Sequence, residues 1–250
     1  MAKNNLDIFI TAYKDFTPVV HDEVYKVIDT REIDQSEYPL TDRFFSEVVL
    51  FFHIAEKMEL KDYIGISHYR KYFNFMDDIP DVDKIFENCD AVLPSPTKFA
   101  KNIKEQYGCC HNIEDLEIVM DIIDEKYPEY SEVSHLFFEK SKILFSCNMF
   151  IMKKEDFLEY VEFLRGILYE YLNRVGTDIY KRIEDNKDKY LKNSSKWPNM
   201  GEPWYQYRIG GYLAERLSNV FYLKKFKKIK MFPIKVTEAK YSKGITDEDI

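Results

Sequence analysis

Between Thr41 and Phe73 an apolar helical stripe runs, almost without a linker, into a short strand that ends on cations. Phe44, Phe45, Val48, Phe52, Ala55 and Met58 recur at helical steps across Thr41 to Leu60. Thr41 is placed to cap this helix, and Asp42 suits the positive end of its dipole. Glu47 and His53 interrupt the apolar face; Glu47 reads either as a solvated edge residue paired with Arg43, one turn earlier, or as a carboxylate buried with a partner, the edge being favoured, and His53 reads as a packed side chain. The run from Tyr63 to Phe73 then supplies Ile64, Gly65 and Ile66, followed abruptly by Ser67, His68, Tyr69, Arg70 and Lys71. A helix feeding a buried strand through a tight turn is a unit of α/β folds, and a polar strand end is where such sheets bind ligands. A strand leaving the core into a solvated turn is the alternative.

The rest of the chain repeats the alternation. LDIFITAY, Leu6 to Tyr13, predicts a buried first strand that opens into a polar loop, the place where mononucleotide-binding domains hold their ligand. Thr11, Tyr13 and Lys14 stand at that end. VYKVIDT and DAVLP predict short strands, and a short helix lies before Cys89. SPTKFAKNIKEQYGCCHN shows no period and predicts a long binding loop carrying Gln106, Tyr107 and His111. Asn112 opens a helix with Asp115 at the capping-box position, Pro128 closes it, and Ser131 to Lys140 predicts another. Ile143 to Lys154 reads as a strand interrupted at Ser146-Cys147-Asn148, a bulge or a ligand contact. A long helix follows, then a charged excursion from Asp178 to Asn199, a turn at Gly201-Glu202-Pro203, a last helix, and a basic edge strand. These elements predict one three-layer α/β domain over residues 1–235 and a polar tail over 236–250.

Composition narrows the function by exclusion. A net charge of −8 lacks the basic footprint of a general nucleic-acid binder. No apolar run has transmembrane length and the N-terminus has no signal-peptide core, so a cytoplasmic protein is expected. The four cysteines show neither a disulfide framework nor zinc spacing. Walker, dinucleotide-binding, nucleophile-elbow and zincin motifs are missing from the sequence. Three polar clusters remain: Tyr13-Lys14, His68-Tyr69-Arg70, and Glu202 with Arg208. Cations at two of them suit a nucleotide diphosphate, and the carboxylate suits a general base for an acceptor hydroxyl.

SHYRKYF after a helix and strand, QYGCCHNIEDL, SCNMFIMKKEDF and RIGGYLAERLSNVF, in that order, resemble the bacterial family catalogued as domain of unknown function 4422. The resemblance spans roughly residues 6 to 223 and implies a GT-A-like domain, a central mostly parallel sheet flanked by helices, acting in capsular polysaccharide and O-antigen synthesis. It implies a glycosyltransferase using a UDP-sugar, UDP-galactofuranose in particular, and a glycan or lipid-linked glycan acceptor. Where many GT-A enzymes carry a metal-holding Asp-x-Asp, this chain carries Ser67-His68-Tyr69-Arg70, so metal-independent transfer is expected and no cofactor. Asp77-Asp78 is the nearest acidic pair. On this reading Arg70 and His68 stabilise the departing UDP and Glu202 deprotonates the acceptor, with Asp42 and Glu47 in reserve. Thr11, Tyr13, Lys14, Ser67, Tyr69, Asn148 and Arg208 would hold the donor, while Gln106, Tyr107, His111 and Trp204 would meet the sugar or acceptor. Glu215 and Arg216 are expected to form a structural ion pair. Rival readings are a retaining enzyme using UDP-galactopyranose or UDP-glucose, a non-catalytic glycan- or nucleotide-binding protein, and a peripheral adaptor whose Lys224, Lys225, Lys227, Lys228 and Lys230 meet the inner membrane.

Overall fold

The computed structural model describes residues 5–13, 23–191 and 202–237. Its central sheet is mixed. β1 (Leu6–Ala12) lies between β2 (Tyr25–Asp29) and β3 (Tyr63–His68), all parallel. β8 (Phe150–Lys153) runs antiparallel between β3 and β5 (Ala91–Pro94), and β9 (Ile229–Phe232) closes that side parallel to β5. The expected mostly parallel sheet therefore has two parallel parts joined by one reversed strand. β8 enters from the carboxyl edge because the chain arrives there from β7 (Ile143–Leu144), which pairs outside the sheet with β6 (Thr97–Lys98). β4 (Lys71–Phe73) folds back on β3 at His68, and β10 (Ile234–Val236) pairs with β4.

Every residue of β1 is buried, which is why its sequence is an unbroken apolar run apart from Asp7 and Thr11. Asp7 is tolerated inside the sheet because Lys26 and Lys61 reach its two oxygens at 2.7 and 2.9 Å. One sheet face carries Phe9, Ile64, Ile66 and Phe150 into the main core. There they meet α2 (Val48–Lys57), α7 (Lys154–Val175) and α11 (Ile209–Lys225). The other face turns Leu6, Ile8, Val92 and Ile151 onto Val82 and Phe86 of α3 (Val82–Phe86). Phe44, Phe45, Phe51 and Phe52 are all fully buried, each stabilising the fold by about 1.5–3 kcal/mol.

The helix expected from Thr41 to Leu60 is two helices, α1 (Asp42–Phe45) and α2, broken at Ser46, whose φ of 54° and ψ of −134° no helix accommodates. Close packing explains the break. Gly210 and Gly211 of α11 lack the Cβ atoms that would stand 2.6 Å from the Phe44 ring and 2.6 Å from Ser46 Cβ. The expected long loop also folds: Asn102 and Glu105 form a complete capping box and start α4 (Ile103–Cys110). Asn112 caps α5 (Ile113–Lys126) through the Glu114 amide, while Asp115 points into the core. Pro128 opens α6 (Pro128–Lys140) instead of merely ending α5. The first part of the charged excursion forms α8 (Ile179–Asp185) and α9 (Lys187–Tyr190), anchored where Arg182 and Tyr190 bond Asp115. The expected domain end at 235 falls inside β10, and residues 238–250 of the tail lie outside the described residues.

Candidate active site

The carboxyl ends of β1 and β3 place Thr11 and His68 side by side in register. Thr11 is buried and its hydroxyl has no hydrogen-bond partner among the described residues. Just beyond, the Tyr13 and Tyr69 hydroxyls lie 2.9 Å apart with their rings edge to face. Tyr69 and Arg70 form the turn between β3 and β4; the exposed Arg70 guanidinium stands 4.9 Å over the Tyr69 ring, which keeps it at the strand ends. Ser67 faces the other side of the sheet, where its hydroxyl donates to the Lys71 carbonyl at 2.7 Å. It closes the turn and is fully buried, so the expected donor contact is corrected to a structural one. Lys14 lies outside the described residues.

The Ser146-Cys147-Asn148 interruption arrives at the same edge. Cys147 and Asn148 both take left-handed backbone, φ 74° and 47°. His68 Nε2 donates to the Cys147 carbonyl, Lys71 reaches its sulfur at 3.0 Å, and its amide donates to Glu215 at 2.7 Å. Asn148, 2% exposed, donates to Glu47 at 2.8 Å and accepts from Ser218 at 2.9 Å. Glu47 is therefore inside the site. The turn at Ser46 swings it away from Arg43, so the favoured surface pair is corrected and the other reading, a carboxylate buried with a partner, holds, the partner being Asn148. Burial pushes its carboxyl up, but His68, Arg208 and hydrogen bonds from Ser46 and Asn148 outweigh that and hold it below the ordinary carboxylate range. Arg208 donates to Ser46 at 2.6 Å, which brings the cation of the third predicted cluster to this corner.

Other predicted residues stand apart. Glu202 is exposed at the start of α10 (Pro203–Gln206), the short helix that leads to Arg208, and Trp204 beside it is 38% exposed. Tyr107 is fully buried, with the Arg216 guanidinium over its ring, and burial drives its phenol well above the ordinary value. His111 is buried too, stacked on Tyr212 and bonded to Gln206; Gln106 accepts from Arg216 at 3.1 Å. These three were expected on a binding loop, and because α4 is a true helix they form a strut behind the site instead. Arg216 pairs with Glu215 at 2.8 Å, so the strut reaches Cys147 through Glu215. Asp42 accepts from Thr30, and Asp77 is paired with Lys235 at 2.6 Å. Sequence reasoning placed Glu47 only in reserve; the glycine pair in the first turn of the last helix was the signal that a second segment packs tightly there.

No curated protein matches the sequence. Among solved structures, one described as the apo structure of WbbM, a bifunctional glycosyltransferase, superposes with a TM-score of 0.70 at 20% identity. The match covers 96% of this chain and 47% of that one, so the chain spans about half of its structural neighbour. The shared fold has the α/β layers and central sheet expected from the sequence. The sequence pattern of one family runs from residue 40 to residue 193, more than half of the chain, taking in Glu47, His68, Arg70 and Asn148: the chain belongs to the family described as a domain of unknown function, DUF4422.

Proposed function

We propose that the protein is a glycosyltransferase that moves a sugar, galactofuranose, from a UDP-sugar to a glycan hydroxyl in surface polysaccharide assembly, with inversion and without a metal. The observation that carries the reading is the placement of His68 and Arg70 at the strand ends beside the Tyr13–Tyr69 pair, with Arg208 reaching Ser46 at the adjoining helix corner. Tyrosine faces suit a stacked base, and guanidinium groups suit phosphate oxygens. The description of WbbM as a bifunctional glycosyltransferase supports the same class. In the reaction, Glu202 takes the proton of the acceptor hydroxyl, whose oxygen attacks the anomeric carbon. The bond from that carbon to the diphosphate breaks, and its electron pair leaves on UDP under stabilisation by Arg70 and His68. Trp204 offers a face to the acceptor sugar.

A donor screen by UDP release, with UDP-galactofuranose generated in situ, tests this directly. Wild-type protein is expected to turn over, Arg70→Ala and Glu202→Ala to lose at least about 100-fold, and excess EDTA to change nothing. UDP binding without turnover of any donor would instead mark a non-catalytic nucleotide-binding protein, and rescue by Mn²⁺ after EDTA would overturn metal independence. Membrane contact is proposed as anchorage only. Lys224, Lys227 and Lys228 precede β9, which runs parallel to β5, so they gather at the sheet edge opposite the site; Lys225 is already paired with Asp156 and Glu159. No helix among the described residues is long and apolar enough to cross a membrane. Sedimentation with anionic vesicles at low but not high salt is the expected result.

A further inference from the structure

Glu47 is a carboxylate at the site that the proposed reaction does not use. Its surroundings are specific. It immediately precedes α2, whose N-terminal dipole favours an anion. Arg208 donates to Ser46, the residue before Glu47, and His68 donates to Cys147, the residue before the Asn148 that bonds Glu47, so both groups assigned to the diphosphate stand beside its carboxylate and favour its charge. It is also tethered from behind: Asn148 donates to Glu47 at 2.8 Å, Ser218 donates to Asn148 at 2.9 Å, and Tyr160 meets Ser218 at 2.6 Å. Asn148, Ser218 and Tyr160 are all buried, so the chain of bonds ends in the core and fixes where the carboxylate sits. With donors from Asn148 and Ser46 already on it, Glu47 is poorly placed to take a proton from an alcohol.

Resting on the reading of this site as a diphosphate site, we infer that Glu47 is its resident counter-anion, competing with the diphosphate for His68 and Arg208 and so speeding release of the nucleotide product. An empty pocket of cations, partly removed from water, is costly, and an internal carboxylate offsets that cost between turnovers. When a diphosphate arrives, the cations turn to it. Glu47 cannot follow them outward because Asn148 holds it, so a fixed negative charge stays beside the bound nucleotide. Coulomb repulsion at short range in a partly buried site then weakens binding of UDP, which is the species that has to leave. Asn148, Ser218 and Tyr160 act here as positioning residues.

The test is calorimetric titration with UDP and, separately, with inorganic pyrophosphate, together with stopped-flow UDP dissociation. Glu47→Gln keeps an oxygen to accept from Asn148 and removes the charge. It is expected to bind UDP and pyrophosphate about tenfold more tightly, with a correspondingly slower UDP off-rate. Should Glu47→Gln fail to fold, Glu47→Asp, whose charge is drawn back from the cations, carries the test with the same sign and a smaller gain. Unchanged or weaker binding of both ligands overturns the inference, because a structural or ligand-contacting residue gives that result. Wild-type protein that binds pyrophosphate but not UDP would remove the nucleotide reading while leaving the counter-anion role to be judged on pyrophosphate. Binding of neither would remove both.

Discussion

At the scale of single residues, Ser46 shows how strain and site are joined. Its φ of 54° and ψ of −134° lie in a region that side chains adopt only at a cost of about 1–3 kcal/mol, yet its hydroxyl holds Arg208 at 2.6 Å. Ser46→Gly is expected to raise the midpoint of thermal unfolding by a few degrees while weakening UDP binding about tenfold, a pair of opposite changes that calorimetry and titration read independently. A fall in both would mean that the strained backbone is not what the serine maintains. Acid behaviour offers a second prediction at this scale. Hydrogen bonds from Lys126, Arg174 and Asn173 lower the Glu170 carboxyl from 4.5 to about 2. With its folded value below its unfolded one, Glu170 stabilises the fold above about pH 4.5 and loses that contribution as pH falls toward 2. The group is on the surface, so Glu170→Gln is expected to flatten the acid limb of a stability profile only slightly, and a deep change there would assign it a larger role. Individual residues were the least legible from sequence: Glu47 looked like the partner of Arg43 because helical spacing assumes an unbroken helix, and periodicity carries no sign of a left-handed serine.

Secondary-structure elements were more legible, for a physical reason. α7 buries a long helical stripe, and β1 and β3 are short, continuous apolar runs rich in β-branched residues, too short for a buried helix. Even the interruption at Ser146-Cys147-Asn148 was visible, since polar residues inside so apolar a run require a local break. α4 escaped notice because it has a weak apolar face and was judged by its missing period, although Asn102 and Glu105 stood at capping-box spacing. The α1–α2 corner depends on a partner distant in sequence, and local pattern has no access to that. Gly211→Ala tests the dependence: its methyl group would arrive 2.6 Å from Ser46 Cβ, an atom that cannot swing aside. The substitution is expected to cost about 1–3 kcal/mol in denaturant unfolding and to break the Arg208–Ser46 contact, weakening UDP binding more than the lost stability explains. Wild-type stability with wild-type affinity would show that α11 does not shape the corner.

The whole molecule adds a connection that no single element reveals. β9 continues through Pro233 into β10, so one C-terminal segment pairs first with β5 and then with β4, the strand that returns from Arg70. Since β5, β8, β3 and β4 are already linked in series, this segment closes the series into a circuit around Phe73, Phe75, Phe232 and Ile234. The closure reaches the site itself: Val236 is in register with Lys71, and the Thr237 amide donates to the Arg70 carbonyl at 2.9 Å. On the proposed reading, the hairpin tip that carries Arg70 has to be fixed in place, because positioning error at a reacting centre is costly in rate. Deleting everything after Phe232 removes β10 while leaving β9 and the main helical core, which has its own cluster of buried residues. Helical circular dichroism is therefore expected to persist, UDP affinity to fall about tenfold, and the additional effect of Arg70→Ala to shrink in the truncated background, since the arginine is then no longer held. If Arg70→Ala costs the same in the full and truncated chains, the circuit does not position the hairpin and its value is confined to stability.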